Sequence, residues 1–425
     1  MPDQGSDESV YSMRMSTEVI VKDLLAAARY AMKTSTKGIL HLFSSRSAGT
    51  ITVTCDGEDV RIQQTIPATV ETSLHIDVVG KQLVAALKGF TARATVALSA
   101  VEDGLYVDGD GRTSLVSTGT PVTNHGPWRN FQPRPGIDMS ETVDADEFRA
   151  MLTKAGATVG HDAKLPVFTC VRIVPTNDLL TVETTNRYAA TRIRMAWDGA
   201  WADGPLIPNA EVSIPFKRLA TVVATMRGRI MIQVKSGPDV FLDQVLAVED
   251  ADGRSAMIHL LGEHHPSLDR MLKPRSCDQI AVLDVASLAG AISQVGARLA
   301  KDTPLVFAFS PVGLVVRGLV GPAKTGGEQE WRAESVPCDY DGDPATIGFS
   351  PDYLPPMLDT LVGPTVTLRW TQPEIHDEYN TRYAPGVPVN VDDDGDDTTT
   401  RLVMSWGLHE DQWSAPDAVR QGAES

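Results

Sequence analysis

Three segments carry residue types that could do chemistry. Gly318–Thr325 (GLVGPAKT) nearly spells a phosphate-binding loop, in which glycines let backbone amides close around a phosphate and a lysine meets its outer oxygens. Ala323 stands where the last glycine belongs, and TGGEQEWRAE follows as loop and strand where such a loop must open a helix, so nucleotide binding is not expected. Glu263, His264 and His265 offer metal donors, but no partner lies at helical spacing. Asp392, Asp393, Asp394, Asp396 and Asp397 could hold a divalent cation loosely. They lack the glycine and glutamate register of a calcium loop, and a mobile, solvated insert is expected over 386–400. G-x-S-x-G, H-E-x-x-H and G-x-G-x-x-G are absent from the sequence. No catalytic residue, metal or cofactor is therefore expected, and the chain is read as non-enzymatic.

The elements that would position any site follow a threefold pattern. A strand-then-helix phrase occurs at Val19–Met32, Thr142–Ala155 and Val282–Val295, and a second at Ile76–Leu87, Val212–Val223 and Ile347–Leu358. Leu83, Leu219 and Leu354 are 136 and 135 positions apart, and Leu24, Phe148 and Leu288 hold matching places in the first phrase. Repeats of this length are whole domains. Helices are predicted over 22–33, 79–88, 145–158, 216–227, 285–301 and 350–362. Phe148, Leu152, Ala155 and Val159 form one apolar stripe, as do Leu288, Ile292, Val295 and Leu299. Alternating β-branched runs punctuated by Gly and Asp fill the intervals and read as antiparallel strands. The expected fold is α+β: three tandem copies over 14–136, 137–275 and 276–412, each with two helices on antiparallel sheet, then a tail over 413–425.

Length and composition suit several soluble domains: 425 residues, 42% hydrophobic and 22% charged. No apolar run is long enough to cross a bilayer and the first residues are polar, so a cytoplasmic location without membrane contact is expected. Cys55, Cys170, Cys277 and Cys338 lack CxxC spacing and read as buried reduced thiols. The formal net charge is −17, but it is unevenly placed. The predicted helices hold twelve basic residues (Lys22, Arg29, Lys33, Lys81, Lys88, Arg149, Lys154, Lys217, Arg218, Arg227, Arg298 and Lys301) and five acidic ones. That is +7 on the helices and −24 elsewhere, a basic surface within an acidic particle.

Several segments then resemble one family. Leu165–Arg192 (LPVFTCVRIVPTNDLLTVETTNRYAATR) is similar to the middle-domain signature of the bacterial DNA polymerase III beta subunit, the sliding clamp: R-P-V-L-x-G-V, a hairpin, then L-x-A-T-D-R/G-Y/H-R-L-A. Leu260–Pro274 (LLGEHHPSLDRMLKP) resembles that family's L-x-D-G-x-F-P-x-Y-x-x-L-x-P. Arg401–Leu408 (RLVMSWGL) falls where the family ends in Y-x-x-M-P-M/V-R-L. The resemblance runs from about residue 14 to 410, through the helix openings Ser213–Leu219 and Gly348–Leu354.

The resemblance implies a DNA-replication processivity factor that forms a head-to-tail homodimeric ring around double-stranded DNA, independently of sequence, with the twelve basic residues facing the DNA. It also implies a hydrophobic pocket that takes short peptide motifs of the replicative DNA polymerase and the clamp loader. Carried onto this sequence, that pocket is lined by Phe168, Thr185, Arg187, Tyr188, Ala189 and Ala190, by Pro266, Arg270 and Met271, and by Leu402, Val403, Met404, Ser405 and Trp406. The chain departs from the family at Ala189–Ala190, in place of Arg-Leu, and at Ser405–Gly407, in place of Pro-Met-Arg. A clamp-like protein that binds or sequesters replication partners without encircling DNA is the alternative.

Overall fold

The computed structural model describes residues 16–34, 38–57, 59–119, 142–175, 179–196, 212–236, 244–297, 299–300, 302–320, 330–378 and 381–409. Its six helices are α1 (Val21–Ala31), α2 (Gly80–Leu87), α3 (Ala145–Gly156), α4 (Phe216–Val223), α5 (Val285–Gly296) and α6 (Leu354–Leu358). They lie in the predicted places but are shorter, most of all α6, where Pro355 and Pro356 are tolerated only in a first turn. The expected repeat holds at single residues. Leu24, Phe148 and Leu288 on α1, α3 and α5 are all fully buried, as are Leu83, Leu219 and Leu354 on α2, α4 and α6.

Two of the three first-phrase helices start by the same device. Asp144 Oδ1 accepts from the amides of Asp146 (2.8 Å) and Glu147 (3.1 Å) at α3. Asp284 Oδ1 accepts from the Ser287 amide (2.7 Å) at α5, and the Ser287 hydrogen bonds hold its carboxyl below the usual carboxylate range. In α1 the same position is Ile20, which offers no cap.

The described chain divides into two compact units, and the division falls inside α3 and at the start of α4. The first comprises residues up to Phe148 together with Lys217–Leu260. Its five-stranded antiparallel sheet runs Thr69–Val70, Thr17–Ile20, Thr95–Val101, Gly104–Gly109, Arg112–Ser117. Its eight-stranded sheet runs Thr142–Asp144, Arg229–Ser236, Gln244–Asp250, Arg254–His259, Val60–Pro67, Thr50–Asp56, Ile39–Ser45, His75–Val79. The pairing of Arg254–His259 with Val60–Pro67 joins strands of the first and second expected copies in one sheet. Leu24, Ala27, Ala28 and Ala31 of α1 and Leu83 and Leu87 of α2 pack on a core with Leu40, Val53 and Leu98.

The second unit comprises Arg149–Asp198, Asn209–Phe216 and the residues from Leu261 onward. Its nine-stranded sheet runs Val212–Pro215, Cys170–Pro175, Leu179–Thr185, Ala189–Ala196, Thr399–Met404, Pro388–Asp393, Thr365–Trp370, Gln279–Asp284, Cys338–Asp341. A four-stranded sheet runs Glu330–Val336, Gly313–Val320, Leu305–Ser310, Ala345–Phe349. Leu288, Ile292 and Val295 of α5 and Leu354 and Met357 of α6 share a core with Phe307, Phe349 and Trp370. Three short strands, His376–Glu378, Thr381–Ala384 and Leu408–His409, form a further sheet at the end of the chain.

The expected mobile acidic insert is instead a strand pair inside the nine-stranded sheet, Pro388–Asp393 against Thr399–Met404. Its acids hold it in place because they have partners. Asp393 accepts from the amides of Val362 (2.7 Å) and Gly363 (2.8 Å). Asp396 pairs with Lys154 Nζ (2.7 Å) and with Arg401 Nη2 (3.2 Å), a fully buried arginine. Burial alone would raise the Asp396 carboxyl, but hydrogen bonds from Lys154 and Thr398 reverse this and hold it well below the carboxylate range.

Candidate functional site

The three segments singled out by sequence meet in the second unit. Ala189–Ala196 pairs antiparallel with Thr399–Met404, which sets Ala190 opposite Leu402 and Ala189 opposite Val403. Side chains alternate across a strand, so the two pairs face opposite ways. Ala190 and Leu402 join Leu268 and Leu272, with Met271 and Met404 packed alongside. Ala189 and Val403 are fully buried in the core beneath α5 and α6, so they line no cleft. Thr185 is also buried, its hydroxyl donating to the Ala189 carbonyl at 2.8 Å, and it shapes the turn without reaching the surface.

The loop 266–272 is clasped by charge. Glu183, almost fully buried, receives Arg172 and Arg192, and Arg192 reaches on to Asp269 at 2.5 Å. Hydrogen bonds from Ser267 and then Arg192 hold the Asp269 carboxyl below its usual range. This clasp fixes the loop that inserts Leu268 and carries Pro266, Arg270 and Met271. Pro266 and Arg270 are exposed.

A cleft of about 510 Å³ opens beside this cluster, lined by Leu165, Phe168, Arg187, Tyr188, Asp352 and Tyr353 among others. Phe168 belongs to a 3-10 turn, Pro166–Thr169. Arg187 and Tyr188 sit on the turn after Leu179–Thr185. Asn186 Oδ1 accepts there from the amides of Tyr188 (3.0 Å) and Ala189 (2.7 Å). Tyr188 stacks on Tyr353, centroids 5.3 Å apart and planes within 10°. Its carbonyl accepts from the Met404 amide at 2.6 Å, which ties the turn to the last long strand. Beyond Met404, Ser405 is buried and exchanges hydrogen bonds with Val387, and Trp406 is 39% exposed with its amide on the Gly348 carbonyl at 2.6 Å. Sequence reasoning missed His161, Leu165, Asp352 and Tyr353 on this cleft. Tyr353 lies within the quoted helix opening Gly348–Leu354, and a tyrosine on a helix-opening turn was the available signal.

The basic residues separate into two groups. Lys22, Arg29, Lys33, Lys81, Lys88, Lys217 and Arg227 are exposed, and all seven belong to the first unit. Arg149 is half-buried, Lys154 is held by Asp396, and Arg218 pairs with Asp59. Arg298 and Lys301 lie outside the described residues.

The discounted motifs are placed as follows among the described residues. Gly318–Val320 end a strand, and the rest of the near phosphate loop lies outside the described residues. His265 is buried with Nδ1 3.0 Å from the Pro266 carbonyl. Among the described residues no group of three or more His, Cys, Asp or Glu could hold a metal, and no helix is long and apolar enough to cross a membrane. The four cysteines are free, Cys55 and Cys170 buried as expected and Cys277 and Cys338 only half-buried.

No family model matches the chain. It is 26% identical over 264 residues to the beta sliding clamp of Streptomyces coelicolor, covering 61% of this chain and 66% of that protein, about two thirds of its length. It is 26% identical over 306 residues to the beta sliding clamp of Micrococcus luteus, covering 70% and 89%. Among solved structures it is similar to the DNA polymerase III subunit beta of Pseudomonas aeruginosa, with a TM-score of 0.75 at 15% identity over 92% of this chain and 99% of that one. Along nearly its whole length the chain shares the fold of that DNA polymerase III subunit beta, and its sequence is similar to beta sliding clamps.

Proposed function

We propose that this chain is a non-catalytic DNA sliding clamp: a homodimeric ring that encircles duplex DNA and tethers a replicative polymerase and other partners through the cleft of the second unit. The observation that carries this reading is the sorting of charge. A chain of net charge −17 keeps seven exposed cations on and beside α1, α2 and α4. Such a surface attracts phosphates without reading bases, which permits sliding. An acidic remainder repels the DNA from other faces.

Ring closure is supported by two strands that end their sheets among the described residues. Arg112–Ser117 ends the five-stranded sheet with Leu115 53% exposed, and Glu330–Val336 ends the four-stranded one. Pairing these edges between two copies, head to tail, would leave neither open. The boundaries 14–136, 137–275 and 276–412 remain our division of the chain into clamp domains.

The test is electrostatic. Reversing Lys22, Arg29, Lys81 and Lys217 to Glu should abolish retention on nicked circular DNA while the solution mass stays that of a dimer. Unchanged retention would refute the lining. The alternative, a clamp-like protein that sequesters partners, predicts a monomer that binds peptides and no DNA.

A further inference from the structure

We propose that Asp59 sets the grip of the chain on DNA, as an internal stand-in for phosphate that holds Arg218 of α4 back from the cationic surface. The proposal rests on the reading of that surface as a DNA lining and adds the group that regulates it.

The cations expected to face DNA are treated differently along the chain. Lys22, Arg29, Lys33, Lys81 and Lys88, on and beside α1 and α2, are exposed. On α3 and α4 two cations are neutralised from outside their helices. Lys154 of α3 meets Asp396 at 2.7 Å, and Arg218 of α4 meets Asp59, while Lys217 next to it stays exposed. Each acid comes from a hairpin turn remote in sequence, so neither pair is the i, i+4 spacing of a solvated helix face.

The fold delivers Asp59 to Arg218. Arg254–His259 pairs with Val60–Pro67, and the His259 amide donates to the Asp59 carbonyl at 3.0 Å. The turn itself is closed by backbone, the Gly57 amide donating to the Val60 carbonyl at 2.8 Å, so its closure does not use the Asp59 carboxylate. Asp56, at the base of the same turn, is engaged by Arg61 at 2.6 Å, whereas Asp59 reaches across to α4. Pinning the Asp59 main chain sets its carboxylate against a guanidinium whose planar fork fits carboxylate and phosphate alike.

The pair is built to compete rather than to lock. The Arg218 and Asp59 side chains are 40% and 34% exposed, and an ion pair so open to water is weak. A phosphate can displace Asp59, but it must break the pair to do so. The surface then holds duplex less tightly than its count of cations implies, which suits a ring that has to move along DNA. Asp396 differs, because it also meets the buried Arg401 at 3.2 Å, and Lys154 stays withdrawn with it.

The test uses the full chain and fluorescence anisotropy with a labelled blunt duplex of about 30 base pairs, short enough to thread a ring from its end, over about 20 to 200 mM salt. Asp59→Asn should bind the duplex about threefold more tightly at the lowest salt. Its logarithmic salt slope should steepen by about 0.9, because Arg218 now meets a phosphate. Asp59→Ser should repeat both effects, and both should vanish when Arg218→Ala is added to Asp59→Asn. No gain in Asp59→Asn, a gain that survives Arg218→Ala, or a shift in melting temperature with no change of salt slope would overturn the proposal and leave the DNA lining standing. Failure of the unaltered chain to bind the duplex at the lowest salt overturns the two together.

Discussion

Leu268 anchors the apolar cluster beside the cleft. It has no exposed surface, packs against Ala190, Leu272 and Leu402, and hangs on a loop otherwise held by the Arg192–Asp269 contact. Leu268→Ala should lower stability by about 3 kcal/mol and, by loosening the loop beside the cleft, should weaken peptide binding while leaving the solution mass unchanged. Thermal unfolding and anisotropy check the two halves; an unaltered affinity would mean that the loop 266–272 does not bear on the cleft. Of the residues expected from sequence, Phe168, Arg187 and Tyr188 line the cleft, whereas Ala190, Met271, Leu402 and Met404 converge in the cluster beside it. Ala189 and Val403 were misread because the motifs do not say which residues of a strand face out. Tyr353 was missed because its contact with Tyr188 spans distant sequence that no local pattern records.

At the scale of elements, the threefold phrase was visible because each helix must bury one apolar stripe, and the same burial recurs at Leu24, Phe148 and Leu288. The copies differ at their caps. Asp144 and Asp284 each satisfy amides that Ile20 leaves without a side-chain acceptor. Ile20 is 40% exposed, so Ile20→Asp loses little packing and gains a cap and a favourable charge at the start of α1. It should stabilise the first unit by about 1 kcal/mol, seen as a higher melting temperature; a decrease would show that Ile20 contributes more as a strand residue. The hairpin at 388–404 was not legible as ordered structure. Composition reported an acidic run, whereas the Lys154 that neutralises Asp396 lies 242 positions away in sequence. Helix ends were overpredicted for a related reason: periodicity runs on past the point where backbone hydrogen bonding stops, and in α6 two prolines leave only one turn.

For the whole molecule, charge placement carries the functional account. The third expected copy contributes no charged residue to α5 or α6, so its described helices offer a phosphate nothing. On the proposed reading the seven exposed helix cations of the first unit would then carry the attraction, and any affinity should fall steeply with salt. A groove-reading protein with such a surface would bind linear and circular DNA alike. A ring would not, because it leaves a linear duplex by running off the end. The most direct measurement is retention of the loaded chain on nicked circular DNA before and after one cut with a restriction enzyme. A ring should be retained stably on the circle and lost rapidly on linearisation. Equal retention on both forms, or none on the circle after loading, would contradict it.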